Sequence, residues 1–409
     1  MRRSYRDVLS VVEFRAMWLA ELQSVAGDQL ARVALSVLVF NHTGSAALTG
    51  LTYALTFVPS LLGGVFLTGL ADRFPRRELI CWIDALRGCL VVLVAIPGMP
   101  FVVLCVLVAF VSLLQPVFKA AQIALLPDVL GEELFPTGMA VRSITVQSAQ
   151  LAGFAGGGLL IAIFNPYVVL ALDALTFFGS AVLIRTRLRP RPVVVRPGSA
   201  RAPWRESFDL LFANRGTRTL VLMLWLMALV AVYEGMAAPY AAAFGGGSVV
   251  VGLILAADPF GSVVGVFLYS KLVPESRRPG LLGPFAVASA VPVALCLLRP
   301  GLVVSIVLFV LAGAFGTIVA METTTALTTR VPEERRGQAI GMGNAGLTTA
   351  TGISPLLAGI LADRTSPTQA VGWFGLIGTV AAVALAVAWM SSSVDAGRAF
   401  ADDEGEGGL

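Results

Sequence analysis

The run FVVLCVLVAFVSLLQPVFKAAQIALL, residues 101–126, decides the fold class of this chain. It contains a single charged side chain, Lys119. A helix needs about 20 predominantly apolar residues to cross a lipid bilayer. Lipid permits only helices and closed barrels, and barrel strands are short and alternate in polarity. We therefore interpret this run as a membrane-spanning helix.

The rest of the chain repeats this pattern. Hydrophobic residues make up 57% of its 409 residues, charged residues make up 13%, and the mean hydropathy is +0.84. A soluble domain carries roughly a quarter charged residues. We expect an all-α membrane protein with twelve transmembrane helices. They are predicted at 16–40, 47–71, 79–97, 101–126, 138–163, 167–186, 218–240, 249–271, 280–298, 302–328, 338–362 and 369–390.

The placement of the basic residues predicts the orientation of these spans. Segments on the cytoplasmic side of a membrane are enriched in Lys and Arg. If the N-terminus is cytoplasmic, only Arg299 and Arg364 fall on the outer side. We predict a multi-pass protein of the cell (inner) membrane with both termini in the cytoplasm. The inner segments carry Arg2, Arg3 and Arg6; Arg73, Arg76 and Arg77; the basic residues of 187–215; Lys271, Arg277 and Arg278; and Arg330, Arg335 and Arg336.

The chain divides into two similar halves. Phe66 and Phe267, Arg76 and Arg277, and Gly158 and Gly359 are each 201 residues apart. A parallel repeat of this kind places a shared cavity between two six-helix bundles related by pseudo-two-fold symmetry. We expect an N-terminal bundle at 1–186, a cytoplasmic central loop at 187–217, a C-terminal bundle at 218–390 and a disordered cytoplasmic tail at 391–409. Residues 204–214 are predicted to form an amphipathic helix.

The sequence Gly69-Leu70-Ala71-Asp72-Arg73-Phe74-Pro75-Arg76-Arg77 connects the second and third spans. It combines a small residue at a helix end with an acid and a tight basic turn. Such a loop can hold charge pairs that form in one position of a gate and break in another. A basic loop that only orients the protein in the membrane explains the same residues equally well.

This loop resembles the signature of the major facilitator superfamily, G-x-x-x-D-R-x-G-R-R. Gly69, Asp72, Arg73, Arg76 and Arg77 match it, and Pro75 replaces the usual glycine. Proline fixes φ near −65°, so the turn should differ in detail. The resemblance implies a transporter whose loop 69–77 secures the cytoplasmic gate.

Further residues are similar to the macrolide-efflux and enterobactin-exporter-like branch of that superfamily. They are Phe14-Arg15, Gly27-Asp28-Gln29, Thr43-Gly44-Ser45, Pro116, Leu126-Pro127-Asp128 and the segment 204–218. This branch exports drugs, siderophores and other natural products with the proton gradient.

The chain departs from drug–proton antiporters at two places. Its fourth span has Lys119 but no arginine, and Phe154 stands in the fifth span where proline is usual. Small residues let helices approach closely, for plain packing or for rocking of one half on the other. The candidates for this role are Gly153, Gly156, Gly157, Gly158, Pro355 and Gly359.

Charged residues within the spans are the candidate functional residues, because charges in a membrane usually face a cavity or a partner. Glu21, Asp28, Arg32 and Ser36 are spaced by seven, four and four residues, so they share one face of the first helix. We expect this stripe to line the central cavity, and Asp28 can pair with Arg32. A purely structural ion pair is the alternative.

Three carboxylates of the second half lack an obvious local counter-charge: Glu234, Asp258 and Glu322. A carboxylate away from water resists ionisation and can carry a proton near neutral pH. We interpret Glu234 and Glu322 as candidates for proton coupling. Pairing across helices or contact with cavity water is the alternative. Asp84, Arg87, Arg142 and Asp173 are interpreted as structural or gate pairs.

The sequence favours a proton-coupled exporter of a bulky, partly hydrophobic small molecule. The alternatives are a nutrient importer or facilitator, and a non-transporting membrane receptor or scaffold. We expect no enzymatic activity, no cofactor, no metal site and no nucleic-acid binding, because His42 is the only histidine and no catalytic, nucleotide-binding or basic aromatic motif occurs. The expected partners are a small-molecule substrate, protons and membrane lipid, and the protein is predicted to act as a monomer.

Overall fold

The computed structural model of the chain describes residues 5–191, 204–332 and 335–406. Their secondary structure is helical throughout, without a strand. We label the helices of ten or more residues α1 to α12. They are α1 Val12–Thr43, α2 Ala46–Leu55, α3 Arg76–Val94, α4 Phe101–Ile163, α5 Pro166–Arg187, α6 Trp204–Ala213, α7 Arg215–Val230, α8 Ser248–Leu272, α9 Arg278–Ala294, α10 Leu302–Arg330, α11 Arg336–Arg364 and α12 Pro367–Glu406.

Shorter helical segments connect these elements. Tyr5–Ser10 precedes α1, and Val232–Gly235 and Ala237–Ala243 continue α7. The continuation of α2 consists of Val58–Leu62, a π-helical turn at Gly63–Leu67 and Leu70–Arg73. The 3₁₀ turns Glu275–Arg277 and Leu295–Leu298 flank α9. Interruptions of this kind are tolerated within a membrane where neighbouring helices satisfy the freed backbone groups.

Nine helices in the described ranges are long and apolar enough to cross a membrane. One of them, α4, has 63 residues and bends at Gly131, whose φ of 66° lies in the left-handed region. Its arms, 101–130 and 132–163, each have spanning length. Helices α1 and α3, with 32 and 19 residues, are also long enough but are too polar to be among the nine. The all-α architecture is confirmed, whereas the count of twelve spans stays a prediction.

The helices of each half pack mainly on one another. In the first half, α1 lies against α4 and α5, and α3 lies against α5. In the second half, α8 lies against α10, and α9 lies against α10 and α12. Two helix pairs join the halves, α2 with α11 and α4 with α8. These two pairs make most of the contacts between the halves.

The two joining pairs are related by the sequence repeat. A Cβ atom added to Gly158 would lie 2.6 Å from the Ser248 carbonyl oxygen, and one added to Gly359 would lie 2.7 Å from the Ala47 Cα. Gly158 and Gly359 are 201 residues apart, and so are Ala47 and Ser248. The second contact is thus the first with the halves exchanged, which is what a pseudo-two-fold axis produces.

The central loop and the C-terminal end differ in how they follow the sequence pattern. A helix, α6, is present at Trp204–Ala213, where an amphipathic helix was expected, and it packs on α7 and α11. Helix α12 continues to Glu406, through a region whose composition favours disorder. No proline interrupts 391–406, so the helical register of the last span continues. Residues 1–4, 192–203, 333–334 and 407–409 lie outside the described residues.

Candidate functional site

The two ends of the helical bundle differ. We call the end that carries Gly44 the Gly44 end, and the end that carries Arg73 the Arg73 end. The halves touch closely at the Gly44 end, where Gly252 faces Gly158: a Cβ on Gly252 would meet the Gly158 Cα at 2.9 Å. No side chain fits between these backbones, so this end is closed.

Asp363, in the last turn of α11, bridges the halves at the Gly44 end. Its carboxylate accepts hydrogen bonds from the Ser45 hydroxyl at 2.7 Å and from the backbone N–H groups of Ala46 at 2.7 Å and Ala47 at 3.2 Å. These donors form the N-terminus of α2. The free N–H groups and the positive dipole end of a helix favour an anion at that position. Asp363 of the second half therefore caps a helix of the first half.

The predicted glycines act mainly through close helix packing. A Cβ on Gly153 would lie 2.7 Å from the Ala26 carbonyl oxygen, and one on Gly157 would lie 3.0 Å from Val33, so both let α4 approach α1. The space around Gly156 is open. Pro355 packs against Gly235, where a Cβ would meet the proline ring at 2.2 Å. These contacts favour the packing interpretation, whereas rocking stays a prediction.

A carboxylate of the second half is hydrogen-bonded to the first half. The Tyr53 hydroxyl of α2 donates a hydrogen bond to the Glu234 carboxylate. Beside it, the Tyr233 hydroxyl donates to Asp258 at 3.3 Å, and the Tyr233 ring stacks on Phe309 with centroids 4.1 Å apart. Glu234 and Asp258 thus lie close together, and each accepts a hydrogen bond from a tyrosine hydroxyl. The Tyr53–Glu234 bond exists only while the two halves meet here.

The first half contains a buried charge network built around Arg87. Its guanidinium contacts Asp28 at 2.9 Å and Asp84 at 3.9 Å, and Arg87 is 2% exposed. Asp28 also accepts from Gln115 at 3.2 Å, and Asp84 accepts from Ser180 at 2.5 Å. The predicted pairing of Asp28 with Arg32 is not formed, because Arg87 reaches Asp28 from α3.

The remaining members of the α1 stripe have separate surroundings. Glu21 accepts two hydrogen bonds from Arg142, at 2.7 and 2.8 Å, so it is firmly paired. Arg32 lies over the Phe57 ring, 4.5 Å from its centroid. The Ser36 hydroxyl is buried without a hydrogen-bond partner among the described residues. The stripe faces the protein interior, but none of its members is among the residues that line the cavity between the halves. Its expected place in a central cavity stays a prediction.

Two cavities lie near the charged residues and between the halves. One, of about 50 Å³, lies inside the first half and is lined by Asp28, Arg32, Arg87 and Asp173. The other, of about 400 Å³, lies between the halves towards the Arg73 end. Its lining residues are Ser60, Leu61, Gly64, Val65 and Pro116 from the first half, and Gly341, Asn344, Ala345 and Thr348 from the second. The halves therefore separate at the end opposite to their close contact.

Glu322 lies apart from the Glu234–Asp258 pair, on α10 beside Tyr269 of α8. In loop 69–77, Arg76 bonds to Asp128 at 3.1 Å and to the Ala124 carbonyl at 2.8 Å. Arg77 donates to the Arg185 carbonyl. These bonds stay within the first half, while Asp72 and Arg73 are exposed at the Arg73 end and Gly69 has open space around it.

Sequence reasoning missed the roles of Asp363 and Tyr53, and it did not identify Arg87 as the partner of Asp28. One sign pointed to Asp363: an acid in the last turn of a helix opposes that helix's own dipole, so it is better placed serving another helix. Within the described residues, no cluster of three or more His, Cys, Asp or Glu side chains is arranged to hold a metal ion.

Comparison with known proteins yields one family. The sequence model of the Major Facilitator Superfamily matches residues 17–240 and 229–406. The chain is 27% identical to the enterobactin exporter EntS of Shigella boydii serotype 4 (strain Sb227) over 378 residues, 89% of each chain. It is 26% identical to the protein of the same name from Salmonella typhimurium (strain LT2) over 381 residues, again 89% of each. A bacterial homologue of the human lysosomal transporter Spinster, in an inward-facing and occupied conformation, has the same fold, with a TM-score of 0.71, 16% identity, and coverage of 96% of this chain and 98% of that one.

Proposed function

Because the chain belongs to the major facilitator superfamily, we propose that this transporter exports a bulky, partly hydrophobic small molecule by proton-coupled alternating access. The observation that carries the proposal is that the halves are in contact at one end of the bundle and separated at the other. Gly158 and Gly252 close the Gly44 end, while a cavity of about 400 Å³ separates the halves towards the Arg73 end. Exchange of these two states would move a substrate across the membrane.

The direction of loading follows from the charge pattern. Loop 69–77 lies at the Arg73 end, together with Arg330, Arg335 and Arg336. This concentration of arginine favours a cytoplasmic position. With that orientation the cavity is open to the cytoplasm of a cell whose inner membrane holds the protein, and both termini are cytoplasmic. The cavity then collects its substrate inside the cell and releases it outside. In this scheme loop 69–77 secures the cytoplasmic gate.

Proton coupling is assigned to Glu234, with Asp258 beside it. Glu234 is bonded to Tyr53 across the halves, so its protonation state acts on the contact that changes during transport. Asp28 is a weaker candidate, since its contacts with Arg87 and Gln115 lie within the first half and do not join the two halves. Glu322, apart from the pair, stays a second candidate. A membrane potential supplies about 2.3 kcal/mol per charge per 100 mV, so one proton can support a useful gradient.

The substrate class is inferred from the relatives and from the cavity. Two relatives named enterobactin exporter match 89% of this chain. The lining of the larger cavity is mainly apolar, with Ser60, Asn344 and Thr348 as its polar groups. Such a surface fits a siderophore, a drug or another natural product better than a sugar, which needs many hydrogen-bonding partners.

The test is transport by purified protein in liposomes that carry a pH-sensitive dye. Enterobactin and a panel of hydrophobic drugs are added with and without an imposed proton gradient. We expect at least one compound to accumulate only with the gradient, and a protonophore to abolish that accumulation. If no compound of the panel moves with the gradient, the proposal of proton-driven export is wrong. Equal accumulation with and without the proton gradient would indicate a facilitator instead.

A further inference from the structure

Lys119 is a charge inside a membrane span that none of the pairs described above uses. It is one of only two lysines in the chain, the other being Lys271. Lys119 lies on the first arm of α4, four residues after Gln115 and three before Gln122, so the three side chains share one face. Gln115 donates to Asp28, and Gln122 accepts from Arg142 at 3.4 Å. Lys119 therefore lies on the face of α4 that meets the α1 stripe, and its side chain is exposed.

The carboxylates near Lys119 are already occupied. Glu21 is bound by Arg142 in two hydrogen bonds, and Asp28 is bound by Arg87 and Gln115. Among the described residues no carboxylate oxygen lies within 4.0 Å of the Lys119 ammonium, and none lies that close to the Arg32 guanidinium.

The charges that act on the Lys119 ammonium are three arginines and one acid. They are Arg32, Arg87, Arg142 and Asp28. The surroundings of Lys119 thus carry an excess of positive charge. An unpaired ammonium in a span is costly unless it faces water or a ligand of opposite charge.

We propose that Lys119, together with Arg32, binds an anionic group of the transported molecule, so that the substrate class is an organic anion. This inference rests on the proposed function, since it names the charge of the cargo. An ammonium binds carboxylate or sulfonate oxygens as a point charge, and Arg32 adds a planar guanidinium on the Phe57 ring. Lys119 and Arg32 both belong to the first half, so the anionic group binds to the first half.

The chain provides its own control for a direct test, because Lys119 and Lys271 are its only lysines. Lys271 lies at the end of α8 with its ammonium over the exposed Phe267 ring, away from the cavity. Wild-type protein in detergent is treated with a neutral amine-reactive ester, and modification of each lysine is followed by mass spectrometry. The probes are naphthalene-2-sulfonate and the cation (2-naphthylmethyl)trimethylammonium, which carry the same ring system with opposite charge.

We expect the sulfonate to slow modification of Lys119 by about tenfold and to leave Lys271 unchanged, while the cation protects neither residue. Equal protection by both probes, or no protection of Lys119 by the sulfonate, would overturn the proposal. Binding of the sulfonate by Lys119→Met should weaken about tenfold, and Lys119→Arg should retain it, as measured by equilibrium dialysis. These measurements need neither a gradient nor transport, so their failure is distinguishable from failure of proton-driven export.

Discussion

Replacement of Asp363 by alanine should release the Gly44 end. Asp363 caps the N-terminus of α2 through the Ser45 hydroxyl and the backbone N–H groups of Ala46 and Ala47. A capping side chain stabilises a helix N-terminus by about 0.5–2 kcal/mol, and its charge adds about 0.3–1 kcal/mol at an exposed site. Asp363 is exposed, so we expect a total loss of about 1–2 kcal/mol. The ratio of closed to open Gly44 ends should fall by a factor of about 5–30.

The assay measures the distance between spin labels on the two halves in nanodiscs. Labels are placed at the exposed positions Asn41 and Thr365 of a variant without native cysteines. Asp363→Ala should increase the population with a long inter-label distance, and Asp363→Asn should have a smaller effect because its amide oxygen still accepts. Glu275→Ala, which removes an exposed carboxylate outside the Gly44 end, is the matched control and should change nothing. An unchanged distance distribution in Asp363→Ala would refute the capping argument.

Three further predictions follow from the buried contacts. Arg87→Met leaves the carboxylates of Asp28 and Asp84 without their cation, so the free energy of unfolding in a denaturant titration should fall by about 3–5 kcal/mol. Arg87→Lys keeps the charge and should cost less. A loss below about 1 kcal/mol in Arg87→Met would contradict a buried network. The leucine side chain of Gly158→Leu cannot fit at the closed end, so this variant should fold but not transport in liposomes. The control Gly156→Leu lies in open space and should transport normally. Equal transport rates for the two variants would refute the close-contact argument. Tyr53→Phe removes the hydroxyl that donates to Glu234 and should slow transport about tenfold. The control Tyr167→Phe should transport at the wild-type rate. A wild-type rate for Tyr53→Phe as well would show that this hydrogen bond has no role in transport.

The sequence predicts those parts of the fold that depend on a pattern repeated along the chain. Apolar runs predict the long helices, and the 201-residue offset predicts the pseudo-two-fold relation that the contacts of Gly158 and Gly359 display. Local departures were harder to predict. The bend of α4 depends on the positive φ of Gly131. Glycine adopts positive and negative φ almost equally well, so its presence in the sequence does not predict a bend. The helical end of α12 opposes a composition that favours disorder.

The site was predicted less well, because its pairings are between helices. Spacing along α1 correctly grouped Glu21, Asp28 and Arg32 on one interior face. It also suggested that Asp28 pairs with Arg32, whereas Arg87 from α3 is the actual partner. Residues four apart can touch on an isolated helix, but a neighbouring helix offers a second partner that spacing cannot reveal. Asp363 was missed for the same reason, since its partners are 316 to 318 residues away.

The central claim is that Glu234 couples protons to movement of the substrate between two alternating states. The most direct test records proton movement in liposomes containing wild-type protein or Glu234→Gln, after addition of a compound that the wild type transports. We predict substrate-dependent proton movement in the wild type, and its loss in Glu234→Gln with the protein still folded and able to bind the compound. Substrate-dependent proton movement of wild-type size in Glu234→Gln would contradict the claim.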